Sequence, residues 1–184
     1  MKLNLGAADR AIEGFLSVDR MMPADIIADL EAVWPWPDSS VDGIMALDVI
    51  EHIGDLKETH IHGAESVEKC VELMKSICAV RHTLGRIHVM NELHRVLIPG
   101  GRVLIETPNA ARGVGYLQDP THVSPWCMST FKYFEHGSFA HTRLARLYGI
   151  TAAFRILEMS ESPSPAEGYG EQVWKIRCVL EAVK

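Results

Sequence analysis

The chain has 184 residues, 47 % hydrophobic and 23 % charged, with a formal net charge of −6. That length bounds one domain able to bury roughly 70 % of its unfolded surface, and the acidic balance argues against a broad polyphosphate-binding face, which makes nucleic acid an unfavoured partner. The apolar runs fall far short of the ~20 residues that a membrane helix needs.

In chain order, "KLNL" (Lys2–Leu5) reads as the first strand and runs into a turn at Gly6. "FLSVD" (Phe15–Asp19), "DIIADL" (Asp25–Leu30) and "VDGIMALDV" (Val41–Val49) follow as the second to fourth. A short first helix of one or two turns is expected within Ala8–Gly14. From Glu65 to Leu84 the apolar residues Val67, Val71, Met74 and Cys78 recur at helical spacing, and "IHVMNELHRVL" (Ile87–Leu97) is a second helix, with Gly85 between them. "IPGG" is a turn signal before a fifth strand, "GRVLIETP" (Gly101–Pro108). A short helix is expected over Ser129–Phe134. "FRILEMSE" (Phe154–Glu161) and "VWKIRCVLEAV" (Val173–Val183) are the last two strands, joined as a hairpin through "SPSPAEGYG". Strands alternating with helices imply an α/β fold: a Rossmann-like, doubly wound, mostly parallel seven-stranded sheet, covered on both faces, with an antiparallel last strand. No linker divides the chain, so 1–184 reads as a single domain with a helical insertion at about 54–86. The N-terminus carries no signal-peptide pattern. Cys70, Cys78, Cys127 and Cys178 form no C-x-x-C pair, which fits reduced thiols in a cytoplasmic protein.

An open parallel sheet binds ligands beyond the carboxyl ends of its strands. Gly6, Asp19 and Asp29 stand at three successive strand ends. One acid alone is more readily a solvated strand cap; the ordered set favours a ligand site. Asp19 is placed to accept from both ribose hydroxyls of an adenosine, and Asp29 from an adenine amino group. Leu30 or Trp34 would pack on the ring. Asp19 follows Gly6 by 13 positions, whereas a dinucleotide fingerprint places its acid about 20 residues on. Without G-x-G-x-x-G the loop is a poor pyrophosphate cradle, so a phosphate-free adenosine cofactor suits it better than NAD.

With those residues in view, the chain resembles the class I S-adenosylmethionine-dependent methyltransferases, in particular a small methyltransferase-domain group with a shortened first helix. "LNLGAADRAIEGFLSVD", "ADLEAVWPWPDSSVDGIMALDVIEHI" and "MNELHRVLIPGGRVLIETPN" carry the likeness, which spans nearly the whole chain except roughly Gly54–Arg86. The resemblance implies S-adenosylmethionine as cofactor, with Gly6 under its methionine part, Asp19 on the ribose, Asp29 and Leu30 at the adenine, and Asp48 near the reacting centre. Ala8 stands where the family usually has a second glycine. If that position needs a positive φ, alanine costs roughly 1–2 kcal/mol there; if not, it costs little.

"QDPTHVSPWCMSTFKYF" (Gln118–Phe134) concentrates polar and aromatic residues, and a "DPTH" segment often lies near the active site in the resembling group. His122 is the candidate base or acceptor-orienting group, Asp119 its orienter, and Trp126 or Tyr116 a wall of the acceptor pocket. The alternative is a capped turn leading into the next helix. His52 reads as structural or as a cofactor-edge residue. His60 and His62 form an H-x-H pair without a clear third ligand, so no metal is expected. Trp34 or Trp36 is expected against the adenine side. The insertion reads as a lid, a substrate-selecting wall, a homodimer surface or a longer sheet-covering helix. The expected function is methyl transfer to a small-molecule, glycan or other O/N acceptor; the alternative is a weak or inactive cofactor-binding domain acting as a partner subunit.

Overall fold

The computed structural model of the chain describes residues 1–8, 10–54, 85–165 and 172–184. Seven strands form one sheet: β1 (Lys2–Leu5), β2 (Leu16–Asp19), β3 (Ile26–Ile27), β4 (Val41–Leu47), β5 (Leu97–Pro108), β6 (Phe154–Pro165) and β7 (Gln172–Ala182). Their order is β3-β2-β1-β4-β5-β7-β6. The pairs from β3 through β5 are parallel, and β7 is antiparallel to both its neighbours. The α-helices among the described residues are α1 (Gly85–Val96), α2 (Val114–Leu117), α3 (Met128–Phe131) and α4 (Phe139–Tyr148). Among the described residues no helix is long and apolar enough to cross a membrane.

The alternation of each strand decides which face is core. Register lines up Val18, Leu5, Ala46, Ile105 and Cys178 in one row across the sheet, and all are buried. Val89, Met90, Leu93 and Val96 of α1 join the same cluster. The opposite row, Ser17, Asn4, Met45, Leu104 and Val179, is only half-buried apart from Asn4, whose amide donates to the Arg10 carbonyl at 2.8 Å. Among the described residues this second face is packed less tightly than the first.

Several elements differ from the sequence reading for local reasons. Among the described residues of 8–14 there is no helix: Arg10 N–H closes on the Ala7 carbonyl and Phe15 N–H on Ile12, as separate turns. The third strand shrinks to Ile26–Ile27: before it Asp25 turns its carboxylate onto the Ser17 N–H and hydroxyl, both at 2.8 Å, and after it a turn closes from the Ala32 N–H to the Asp29 carbonyl. Gly85 opens α1, and a Cβ there would sit 2.5 Å from the Ile53 carbonyl oxygen. The fifth strand starts earlier, at Leu97. Val41 pairs Leu97 and Gly43 pairs Arg102, so the "IPGG" turn signal becomes an irregularity inside the strand. The short helix covers Met128–Phe131 instead of Ser129–Phe134. The helix expected over Glu65–Leu84 and the pair His60 and His62 lie outside the described residues, as do Cys70 and Cys78. Cys127 and Cys178 are free thiols, Cys178 buried and pushed by that burial to a pKa of about 12.

Candidate functional site

The strand order reverses between β1 and β4, and the loops leaving their carboxyl ends carry unusual backbone. Gly6 (φ +61°), Ala8 (φ +46°) and Asp48 (φ +54°) all lie in the left-handed region. At Gly6 space as well as angle demands glycine: a Cβ would overlap Val49 Cγ2 and lie 2.7 Å from Val49 Cβ. Ala8 holds its angle with a Cβ in place, at a cost of about 1–2 kcal/mol, and its N–H donates to Asp19 Oδ2 at 2.9 Å. Asp19 Oδ1 accepts from Met21 N–H at 3.2 Å. The backbone thus fixes the carboxylate's orientation, and a carboxylate offers about four acceptor positions in all.

A cavity of about 460 Å³ opens over this loop, lined by Gly6, Asp19, Arg20, Asp29, Leu30 and Asp48 among others. That volume lies within the roughly 300–1,000 Å³ of ordinary small-ligand sites. Ala8 does not line it and acts through its N–H on Asp19. Asp29 Oδ1 accepts from Glu31 N–H at 3.0 Å and from Arg20 Nη2 at 3.1 Å, and the same Arg20 nitrogen reaches Glu31. Arg20 thus braces Asp29 and Glu31 on one wall of the cavity, a contact the strand-end pattern did not reveal.

Neither tryptophan expected there lines the cavity, although Trp34 Nε1 donates to the carbonyl of Leu30, which does, at 3.1 Å. Trp34 and Trp36 are buried and meet edge to face at 5.7 Å. Arg95 of α1 donates to both their carbonyls and grips Glu92 with two 2.7 Å bonds, while the Trp34 N–H donates to Glu92. The "WPWPD" turn is clamped to α1, in the core.

A second cavity, about 540 Å³, adjoins the first and shares Asp48 and His52 with it. Its lining adds Arg10, Glu51, Gln118, Asp119, His122 and Lys175. Lys175 of β7 donates to Asp48 Oδ2 at 2.7 Å and to Glu106 at 3.4 Å. Burial is the largest single influence and would lower the Lys175 pKa, but the bonds and negative charges of Asp48 and Glu106 together outweigh it and the pKa is raised. Asp48, expected near a reacting centre, is thus held in an ion pair across the sheet.

The segment Asp119–His122 is a capped turn as well as a cavity wall. Asp119 Oδ1 accepts from the Thr121 N–H and hydroxyl at 2.8 and 2.6 Å, bonds that hold its carboxyl below the usual range. His122 Nδ1 lies 2.9 Å from the Tyr116 carbonyl oxygen, and Tyr116 stacks on the ring. His122 Nε2 is 3.7 Å from Asp119 Oδ2, so the Tyr116 carbonyl, not Asp119, orients the imidazole. Trp126 is not a pocket wall: it is fully buried and packs on Phe131 and Phe134.

Glu51 is the residue that motif reading passed over. It sits in the 3-10 turn Ile50–His52 after β4 and is fully buried. Its Oε2 accepts from the Thr107 hydroxyl at 2.9 Å, and its Oε1 has no partner among the described residues. Burial pushes its pKa up to about 7. Its carbonyl accepts from Val123 and Ser124 N–H, which draws the "DPTH" turn against the end of β4. The apolar flanks Ile50 and Ile53 were the available signal that this acid points inward.

No protein-family model matches the chain, and no curated protein does. Solved structures share its fold at low identity. A methyltransferase from Methanosarcina mazei is 11 % identical over 99 % of this chain and 92 % of its own, with a TM-score of 0.55. One from Archaeoglobus fulgidus is 13 % identical over 98 % and 85 %, at 0.51; both are described as S-adenosylmethionine-dependent. The 1,6-didemethyltoxoflavin N1-methyltransferase of Burkholderia thailandensis, solved with its substrate and S-adenosylhomocysteine, is 11 % identical over 100 % and 71 %, at 0.52. The chain has the class I methyltransferase fold.

Proposed function

We propose that this chain is an S-adenosylmethionine-dependent methyltransferase acting on a polar small-molecule or glycan acceptor in the cytoplasm. The observation that carries this reading is the pair of adjoining cavities at the β1/β4 reversal, which share Asp48 and His52. The cavity over Gly6 suits a phosphate-free adenosine cofactor. Asp19 would accept from the ribose hydroxyls, Asp29 would face the adenine amino group with Leu30 beside the ring, and Gly6 would lie under the methionine part. When bound, S-adenosylmethionine supplies an electrophilic methyl group on a sulfonium whose thioether is a good leaving group.

The second cavity takes the acceptor, and the small-molecule substrate of the Burkholderia neighbour supports that scale. Arg10, Lys175, Gln118 and the acids around them suit a polar acceptor. Holding that acceptor in line is the main catalytic contribution. His122, its Nδ1 committed to Tyr116, keeps Nε2 to orient the acceptor and to take a proton where one must leave. Asp119 stabilises the ring when it is charged. His122→Ala should keep cofactor affinity and lower turnover; unchanged turnover would make the "DPTH" segment a structural turn.

One observation favours a second reading. Ala8 sits at φ +46°, and the strain of that loop suits a weak cofactor-binding domain serving as a partner subunit. Tight cofactor binding without turnover on any acceptor would leave that reading standing.

A further inference from the structure

Three side chains converge on one wall of the acceptor cavity. One carboxylate oxygen of Glu51 and one ring nitrogen each of His52 and His122 lie within 4.8 Å of one another. Glu51 is fully buried, yet its Oε1 has no hydrogen-bond partner among the described residues. Buried carboxylate oxygens are normally satisfied, so an orphan of this kind calls for an explanation such as a ligand.

The hydrogen bonds around the two imidazoles fix their tautomers. A carbonyl oxygen can only accept, so His122 Nδ1, 2.9 Å from the Tyr116 carbonyl, carries the proton. His52 Nδ1 lies 3.1 Å from Thr121 Oγ1, and that hydroxyl already gives its own proton to Asp119 at 2.6 Å. The Thr121 oxygen therefore accepts from His52 Nδ1–H. In their neutral forms both rings keep Nε2 as a lone pair. Histidines tethered through the other nitrogen to a carbonyl, carboxylate or similar acceptor are what metal sites use to aim their ligands.

We propose that Glu51, His52 and His122 form a binding site for a divalent first-row transition cation such as Mn²⁺ or Zn²⁺. Two imidazoles and one carboxylate suit such ions better than Mg²⁺ or Ca²⁺, which prefer all-oxygen sets. Three protein ligands leave coordination positions for the acceptor. Gln118, Asp119 and Lys175 line the same cavity, so the acceptor class is a hydroxyl compound, best one with a second oxygen on a neighbouring atom. A bound cation also eases loss of a hydroxyl proton near neutral pH, a task otherwise left to His122. The acceptor class rests on the methyltransferase reading; cation binding does not.

The test titrates the chelator-stripped full chain with Mn²⁺ alone, read by the loss of free Mn²⁺ signal in electron paramagnetic resonance, and with Zn²⁺ by calorimetry. The expected result is saturable binding of about one ion per chain, weakened at least about tenfold in Glu51→Gln and in His52→Gln. The His60→Ala/His62→Ala double variant should bind as the wild type does. His52→Gln keeps the test decisive should Glu51→Gln fail to fold, and circular dichroism reports which variants fold. No saturable binding of either ion would overturn the site, as would affinity unchanged in His52→Gln or lost in the His60/His62 variant. A parallel titration with S-adenosylhomocysteine separates the two claims: cation binding without cofactor binding upholds this site and sinks the methyltransferase reading.

Discussion

The N–H of Ala8 donates a 2.9 Å hydrogen bond to Asp19 Oδ2, tying the loop after β1 to the carboxylate that ends β2. The acid proposed to hold the ribose is thus pre-oriented by the backbone of the loop proposed to cradle the methionine part. Asp19→Ala should weaken S-adenosylhomocysteine binding by roughly 1–3 kcal/mol through unpaired ribose hydroxyls. Calorimetric titration measures it, and unchanged affinity would remove Asp19 from the cofactor site.

Gly6 and Ala8 make opposite predictions. Gly6→Ala meets both a φ of +61° and the Val49 side chain. Strain and overpacking together should destabilise the fold by about 2–4 kcal/mol. Ala8→Gly relieves a left-handed alanine, although glycine's freer unfolded chain returns part of the gain. The net should be a stabilisation of up to about 1 kcal/mol. Urea unfolding of both variants checks the pair; a destabilised Ala8→Gly would contradict the strain argument.

Arg95 and Glu92 hold the "WPWPD" turn. Burial would raise the Glu92 pKa, but the Arg95 bonds and the Trp34 N–H outweigh it and hold the carboxyl below its ordinary value of 4.5. A carboxyl whose pKa is depressed by folding contributes stability that is full above its unfolded value and lost as pH falls through the folded one. The wild type should therefore lose stability below about pH 4.5 in part through Glu92. Arg95→Lys, which cannot make the paired bonds to Glu92 and reach both tryptophan carbonyls, should cost about 1–3 kcal/mol at neutral pH and flatten that acid limb. Denaturant midpoints at pH 7 and pH 4 would show it; parallel curves for the two proteins would not fit.

The strand pattern was legible where one face of the sheet is core. Val18, Ala46, Ile105 and Cys178 alternate with half-buried neighbours, and period-two alternation is what a sequence displays. Strand β3 was overread because its ends are set by the Asp25 carboxylate on Ser17 and by a turn at Asp29, contacts with no period. Gly6, Asp19, Asp29 and Leu30 were read from strand ends and Asp48 from the family resemblance, and all five line one cavity. Glu51 was not so read: its apolar flanks hinted at burial, but its hydrogen-bond partner, Thr107, lies 56 residues away on β5. Lys175 meets Asp48 across a sequence separation of 127 residues, beyond any local signal. Trp126 was misread because an aromatic beside a polar motif looks like a pocket wall, whereas Phe131 and Phe134 draw it into the core.

Calorimetric titration of the wild-type chain with S-adenosylhomocysteine, set beside NAD, tests the central claim most directly. Saturable binding of S-adenosylhomocysteine with none of NAD is the predicted result. No heat of binding at millimolar S-adenosylhomocysteine, or saturable binding of NAD instead, would contradict it.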